Sequence, residues 1–106
     1  MRAQPRLRAA EVEELVCEAA ARCLGKRVSG TAFLNLGEVA EELGRMGVRH
    51  PESYLHAARR RLEAMQVVKD AAGRAWRKVG TLVRERRGGN RVRRSYVFVF
   101  VRAPVA

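Results

Sequence analysis

The sequence has few of the residues from which enzyme active sites and metal centres are usually built. Asp70 is the only aspartate, and the only histidines and cysteines are His50, His56, Cys17 and Cys23. Catalysis and metal binding ordinarily require paired carboxylates, a nucleophile beside a base, or a cluster of ligands at defined spacing. None of these patterns is present in the sequence. We therefore expect no enzymatic activity, no metal and no other cofactor.

The scarcity of cysteine and of long apolar runs indicates the cellular compartment in which the protein is expected. Cys17 and Cys23 lie on one predicted helix and point about 120° apart, which is a poor arrangement for a disulfide and fits a reducing compartment. No apolar run follows the basic stretch Met1–Arg8, as a signal peptide would require. The longest apolar run, Tyr96–Val101, is too short to cross a membrane. We therefore expect a cytoplasmic protein, nucleoid-associated if prokaryotic, with no membrane partner.

Arginine, by contrast, is abundant and unevenly distributed. The net charge is +11, and only three of the 22 basic residues are lysines. Residues 1–70 hold 12 basic and 10 acidic residues, whereas residues 71–106 hold 10 basic residues and one acid. Arginine makes planar, bidentate contacts with phosphate and guanine. The cationic last third therefore predicts a polyanionic partner.

Hydrophobic periodicity predicts three helices in the first two-thirds of the chain. The first is Ala9–Leu24, with Gly25 as a left-handed terminator. The second is Leu36–Met46, capped by Asn35 and ended by Gly47. The third begins at Pro51 and runs to Met65. On this third helix the core face carries Leu55, Ala58, Leu62 and Met65, and the opposite face carries Ser53, His56, Ala57, Arg60 and Ala64.

Five strands are predicted from runs with a period of two and from turn residues. The first is Thr31–Leu36, with Phe33 pointing inward and Leu34 as a further candidate for the core. The glycines of Gly88–Asn90 are a strong hairpin signal. The other predicted strands are Gln66–Asp70, Arg74–Val79, Thr81–Arg87 and Arg91–Arg102. Thr81–Arg87 also fits a helical turn, and Gly80 before it indicates a bend or bulge.

The order of these elements over residues 9–79 resembles the winged helix-turn-helix family. The segments that carry the resemblance are Asn35–Leu43 and His50–Met65 for the two helices of the motif and Val67–Arg77 for the wing, together with the phrase Leu62-Glu-Ala-Met-Gln-Val-Val68. The resemblance implies an α+β fold with a three-helix winged helix-turn-helix core and a C-terminal β-hairpin. Residues 1–8 would form a flexible basic arm, residues 9–79 the domain, and residues 80–106 a basic hairpin extension packed on the same domain.

The resemblance further implies binding of double-stranded DNA, with the helix over residues 51–65 in the major groove. Arg60 is the best candidate for a bidentate contact with guanine. The expected contacts around this helix are made by Arg49, Ser53, His56, Ala57, Arg59, Arg60 and Arg61. The wing would contact the phosphate backbone through Lys69, Arg74, Arg77 and Lys78.

A second cationic cluster surrounds the predicted hairpin turn. It consists of Arg84, Arg86, Arg87, Arg91, Arg93 and Arg94, with Glu85 as its only acid. A phosphate partner explains such a charge run better than solvation does. If all six neutralise phosphates, the logarithm of affinity should fall with the logarithm of salt concentration with a slope of about −5.

The strand Tyr96–Val101 is apolar on both faces, which leaves two alternatives. It is either a central strand of the monomer or an edge strand that pairs with another chain. We expect a homodimer formed through this strand or through the helix over residues 9–24, with a monomer as the other reading.

Two rival functions remain open beside a DNA-binding transcription regulator or architectural protein. One is an RNA-binding or ribosome-associated basic protein, since Arg94-Ser-Tyr-Val-Phe-Val-Phe100 faintly echoes the aromatic strand of RNA-recognition modules. The other is a protein-binding adaptor with an acidic partner.

Overall fold

The computed structural model describes residues 7–104, in which three α-helices lie on one side of a four-stranded antiparallel sheet. The predicted α+β class is confirmed. The predicted basic arm falls largely outside the described residues. The elements are α1 (Ala9–Gly25), β1 (Thr31–Asn35), α2 (Leu36–Arg45), a 3₁₀ turn (Pro51–Tyr54), α3 (Leu55–Ala64), β2 (Val67–Lys69), β3 (Ala75–Gly88) and β4 (Arg91–Arg102).

The C-terminal strand β4 lies in the interior of the sheet. The strand order is β1-β4-β3-β2, and β4 pairs with β1 along one edge and with β3 along the other. The reading of Tyr96–Val101 as an edge strand is therefore wrong, because both of its edges are already hydrogen-bonded. The homodimer itself, through this strand or through α1, stays a prediction.

The sheet has an inner face against the helices and an outer face towards solvent. Trp76, Phe98 and Phe100 project from the inner face and are fully buried. Their neighbours on β1 are Ala32 and Leu34, which are also buried. Because side chains alternate along a strand, the residues between them point outward. The core therefore lies between this inner face and the helices.

Phe33 points outward, and the prediction that it faces the core is wrong, whereas Leu34, the further candidate, is buried. It is 55% exposed, opposite Val99 on the outer face. Three successive residues of β1, Ala32, Phe33 and Leu34, are apolar. Hydrophobicity alone therefore does not determine whether Phe33 or its two neighbours face the core. Pairing of β1 with β4 decides the orientation, since cross-strand partners share a face.

The boundaries of α2 follow from its capping residues, as predicted. The side chain of Asn35 accepts a hydrogen bond from the Glu38 N–H at 2.8 Å. At the other end Gly47 has a φ of +92° and Val48 donates its N–H to the Leu43 carbonyl, which is the geometry of a glycine-terminated helix. The corresponding prediction for α1 is wrong, because Lys26 in a right-handed conformation caps that helix and Gly25 belongs to it.

The third predicted helix is divided. His50 has a left-handed φ of 53°, and Pro51 opens a 3₁₀ turn before the regular helix begins at Leu55. The expected α-helical start at Pro51 is therefore wrong, and Ser53 lies in the 3₁₀ turn. Lys78 extends from β3 to donate hydrogen bonds to the last carbonyls of α3, those of Leu62 and Glu63. A cation at this end also suits the helix dipole.

The loop between β2 and β3 is organised by the buried carboxylate of Asp70. This carboxylate accepts hydrogen bonds from the Ala72 and Arg74 backbone N–H groups, the Arg74 side chain and the Trp76 indole N–H, at 2.9–3.0 Å. The Arg74 guanidinium also donates to the Gly25 carbonyl at the end of α1. The hairpin loop is thereby attached to both the core and the first helix.

The hydrogen bonds to Asp70 make the stability of the fold depend on acidity. The bond from Trp76, with those from Arg74 and Ala72, outweighs the effect of burial and lowers the pKa of Asp70 from 3.8 to about 2. A carboxyl whose pKa is depressed on folding stabilises the protein above its unfolded pKa and ceases to do so as the pH falls through its folded pKa.

We expect Asp70→Asn to be less stable than the native chain at neutral pH, with the difference disappearing as the pH falls from about 4 to about 2. Urea unfolding at a series of pH values measures this. Glu14→Gln, at an exposed position of α1, is the control and should leave the pH dependence unchanged. If the native chain and Asp70→Asn differed in unfolding free energy by the same amount at every pH in this range, Asp70 would not be the source of the pH dependence.

Candidate nucleic-acid interface

The most prominent cationic feature is a two-stranded arm, residues 81–95, at the far end of the β3–β4 hairpin. β1 pairs with β4 only as far as Val97, and β2 pairs with β3 only as far as Arg77, so the hairpin continues alone. Every residue of the arm is exposed. The strands are joined by Gly89 and Asn90, where Gly89 has a φ of 61°. The predicted hairpin turn is therefore confirmed.

An irregularity at the base separates the arm from the body of the sheet. The register between β3 and β4 shifts between Lys78 and Gly80, which leaves Val79 as an extra residue. Such a bulge locally increases strand twist and bends the hairpin. The predicted bend at Gly80 thus coincides with the place where the arm begins.

The outer face of the arm carries four arginines and no acid. The paired positions on this face are Arg84 with Ser95, Arg86 with Arg93, and Gly88 with Arg91. Like charges placed directly opposite each other on a sheet are destabilising. The opposition of Arg86 and Arg93 therefore has a cost to the fold that a bound polyanion would relieve.

The inner face of the arm is more balanced. Glu85 lies opposite Arg94 and pairs with it at 3.2 Å. Val83 and Val92 are exposed apolar residues on this face, and Arg87 lies near the tip. Four of the six predicted hairpin arginines thus share the outer face, and Arg87 and Arg94 face the opposite way.

Of the three consecutive arginines of α3, Arg60 alone is exposed. Arg59 pairs with Glu63 at 3.1 Å and stacks over the Tyr96 ring, 5.1 Å from its centroid. Arg61 is half-buried against α1. Ser53 and His56 in the same segment, with Arg49 before it, are also exposed, and Ala57 is half-buried.

The solvent face of α3 borders a shallow groove against the start of α1. Leu7, Val12 and Glu13 form one wall, and His56 and Arg60 belong to the other. Arg61 donates to the Cys17 sulfur at 3.2 Å, which fixes its guanidinium on the α1 side. The acidic Glu13 beside Arg60 makes this face less cationic than the sequence of α3 suggests.

The four residues assigned to wing contacts are in different surroundings. Lys69 and Arg77 are exposed on the outer face of the sheet. Arg74 is bound to Asp70, and Lys78 to the end of α3, so both have structural partners within the chain. The hairpin over Val67–Arg77 does form, but its loop is short and tied down, and the hairpin that projects is β3–β4.

No protein-family model, curated protein or solved structure matches this chain. Across residues 7–104 there is no group of three or more metal-ligating side chains and no helix long and apolar enough to cross a membrane.

Three cations around α1 and α2 surround a carboxylate that the sequence does not single out. Glu42 is buried, and it is contacted by Lys26 and Arg45 at 2.9 Å and by Arg22 at 4.0 Å. The hydrogen bond from Lys26, followed by that from Arg45, lowers the pKa of Glu42 below its usual value. The anion therefore persists at neutral pH, and the excess positive charge lies on the sheet and the arm.

The aromatic residues of β4 do not form a stacking surface. Phe98 and Phe100 are fully buried, and Tyr96 is half-buried beneath Arg59. The suggested echo of an RNA-recognition strand is therefore wrong in its geometry, because in such a module the aromatic side chains must face solvent to stack on bases.

Proposed function

We propose that this chain binds double-stranded nucleic acid, with DNA as the favoured ligand, and that the arm provides most of the affinity. The observation that carries the proposal is the pair Arg86 and Arg93, directly opposed on a fully exposed face that holds four arginines and no carboxylate. Phosphates supply the negative charge that this face lacks within the chain. Affinity from such contacts is electrostatic and depends strongly on salt.

The dimensions of the arm favour a duplex. A two-stranded β-ribbon fits the major groove of B-form DNA, whereas the deep and narrow major groove of A-form RNA excludes side chains. Inside the groove, the outer-face arginines can reach phosphates and the guanine edge. The arm therefore suits duplex DNA better than duplex RNA.

We assign α3 a secondary, orienting role in this complex. Arg60 and His56 are exposed on its solvent face, but Arg59 and Arg61 are held by contacts within the chain. With Arg60 as the one exposed arginine of α3, this helix supports limited sequence preference. The order of α2, the turn and α3, followed by a hairpin, supports a helix-turn-helix arrangement with β3–β4 as the wing. An architectural role fits these features better than a highly selective regulator.

The test is a side-by-side titration of a labelled DNA duplex, selected from a random pool, and of a structured RNA, each with the native chain and with Arg60→Ala. We expect tighter binding of DNA. Arg60→Ala should reduce the preference for the selected duplex over a scrambled one by about tenfold, as loss of one bidentate guanine contact does. Binding to RNA without binding to DNA would favour the RNA alternative. An equal loss on both duplexes would show that Arg60 contacts phosphate and reads no base.

A further inference from the structure

An apolar strip lies exposed to solvent on the outer face of the sheet. Phe33 on β1, Val99 on β4 and Gly80 on β3 form one row across the sheet, and Val97 and Leu82 lie in the next row. Phe33 and Leu82 are more than half exposed. Since Gly80 has no side chain, the strip is open beside Val99.

The charged strand residues around this strip all have one sign. Among the described strand residues, every charged side chain on the outer face is a cation, namely Lys69, Arg77, Arg84, Arg86, Arg91 and Arg93. A second copy packed face to face would bring two such sets together without a compensating acid. The occupant of the strip must therefore be anionic and must also offer flat apolar surface.

The outer edge of β1 is closed to an added strand. The guanidinium of Arg27 donates to the Phe33 carbonyl at 3.1 Å and also binds Glu38. This contact occupies a backbone group that an incoming strand would use. Binding at this surface therefore takes place on the face of the sheet, where the Phe33 side chain lies.

We infer that the outer face binds an unpaired segment of nucleic acid, with a base stacked on Phe33 and the backbone following the arginines towards the arm. Single strands combine phosphate charge with exposed base planes, and proteins bind them through a cationic groove with aromatic side chains. An acidic protein helix offers the charge but not the planar surface that a single exposed ring matches. This inference rests on the proposed nucleic-acid binding and adds a ligand form and a residue to it.

The test measures fluorescence anisotropy of a labelled single-stranded DNA of about 12 nucleotides, within the usual site size for such surfaces, and of an abasic strand with the same phosphates. For the native chain we expect the abasic strand to bind at least about fivefold more weakly, because stacking is lost. Phe33→Ala should weaken binding of the base-containing strand by a similar factor and leave binding of the abasic strand unchanged. Phe33→Tyr should retain native affinity for both strands.

Two controls make the outcomes distinct. Val92→Ala, an exposed apolar change on the opposite face of the arm, should alter neither strand's affinity. Phe33→Ala should leave affinity for a DNA duplex within about twofold of native, since duplex binding is assigned to the arm. Failure of the native chain to bind either a duplex or a single strand overturns the proposed function itself.

Three results would overturn this inference alone while duplex binding survives. One is an equal loss of affinity for the base-containing and abasic strands in Phe33→Ala. Another is an unchanged affinity for both strands in that variant. The third is a dimer mass by light scattering that becomes monomeric in Phe33→Ala, which would mean that a second copy covers the strip.

Discussion

Replacing Arg86 and Arg93 together by alanine should lower affinity for duplex DNA on the order of fiftyfold at about 0.1 M salt. Each phosphate contact releases close to one counterion, so two lost contacts remove nearly two powers of ten at this concentration. The same double variant should be no less stable than the native chain, because the two side chains are opposed across the arm and repel each other. Anisotropy titration and urea unfolding measure the two effects.

The matched control for this variant removes two arginines elsewhere. Arg22→Ala with Arg45→Ala changes the net charge by the same amount but acts on the α1–α2 side, where Lys26 remains 2.9 Å from Glu42. We expect its affinity to stay within a few-fold of native. Equal losses in the two double variants would mean that overall charge, and not the outer face of the arm, determines binding.

Phe98→Ala should destabilise the fold by about 3–5 kcal/mol, the range found when a large buried aromatic side chain is deleted. Phe98 is fully buried on a central strand and lies opposite Leu34 on β1. Its removal would leave a cavity between the sheet and the helices. The unfolding free energy from urea denaturation measures the loss.

Val92→Ala is the control for this effect, because Val92 is on the same strand but 55% exposed near the tip of the arm. Surface changes of this kind usually alter stability by less than about 0.5 kcal/mol. If Phe98→Ala lowered the unfolding free energy as little as Val92→Ala does, β4 would not form part of the core. Comparing the two variants therefore shows which part of β4 stabilises the core and which part belongs to the exposed arm.

Local chemistry makes much of this fold predictable from the sequence. Asn35 and Glu38 have the spacing of a helix cap, and Gly47 follows the last helical turn. The Gly88–Asn90 turn and the β-branched run before Pro104 predict the hairpin and its long second strand. These features depend on residues within a few positions of one another, and each is present where expected.

The remaining features depend on contacts between distant segments. The side of β1 that is buried is decided by pairing with β4, more than 60 positions away, and so the orientation of Phe33 was predicted wrongly. The charge of the buried Glu42 is balanced in part by Lys26, which lies 16 positions away in the chain. Asp70 in front of a glycine-containing turn is a recognisable turn signal. Its bond to Trp76, however, requires the return strand to be in register.

The candidate interface was predictable in composition but not in arrangement. The cluster of hairpin arginines is evident in the sequence, yet only the register divides it into an outer face with four arginines and an inner face with Arg87 and Arg94. Likewise, Arg59 and Arg61 look equivalent to Arg60 until their contacts with Tyr96 and Cys17 are known. Side-chain direction therefore supports the proposal that the arm, rather than α3, provides most of the affinity.

The salt dependence of duplex binding tests the central claim most directly. The dissociation constant of the native chain for a DNA duplex should be measured from about 0.05 to 0.3 M salt, alongside the Arg86/Arg93 double alanine variant. Four to six arginine–phosphate contacts predict a log–log slope of affinity between about −3.5 and −5.5, and the variant should be shallower by about 1.8. Absence of duplex binding at the lowest salt, or identical slopes for the two proteins, would contradict the account.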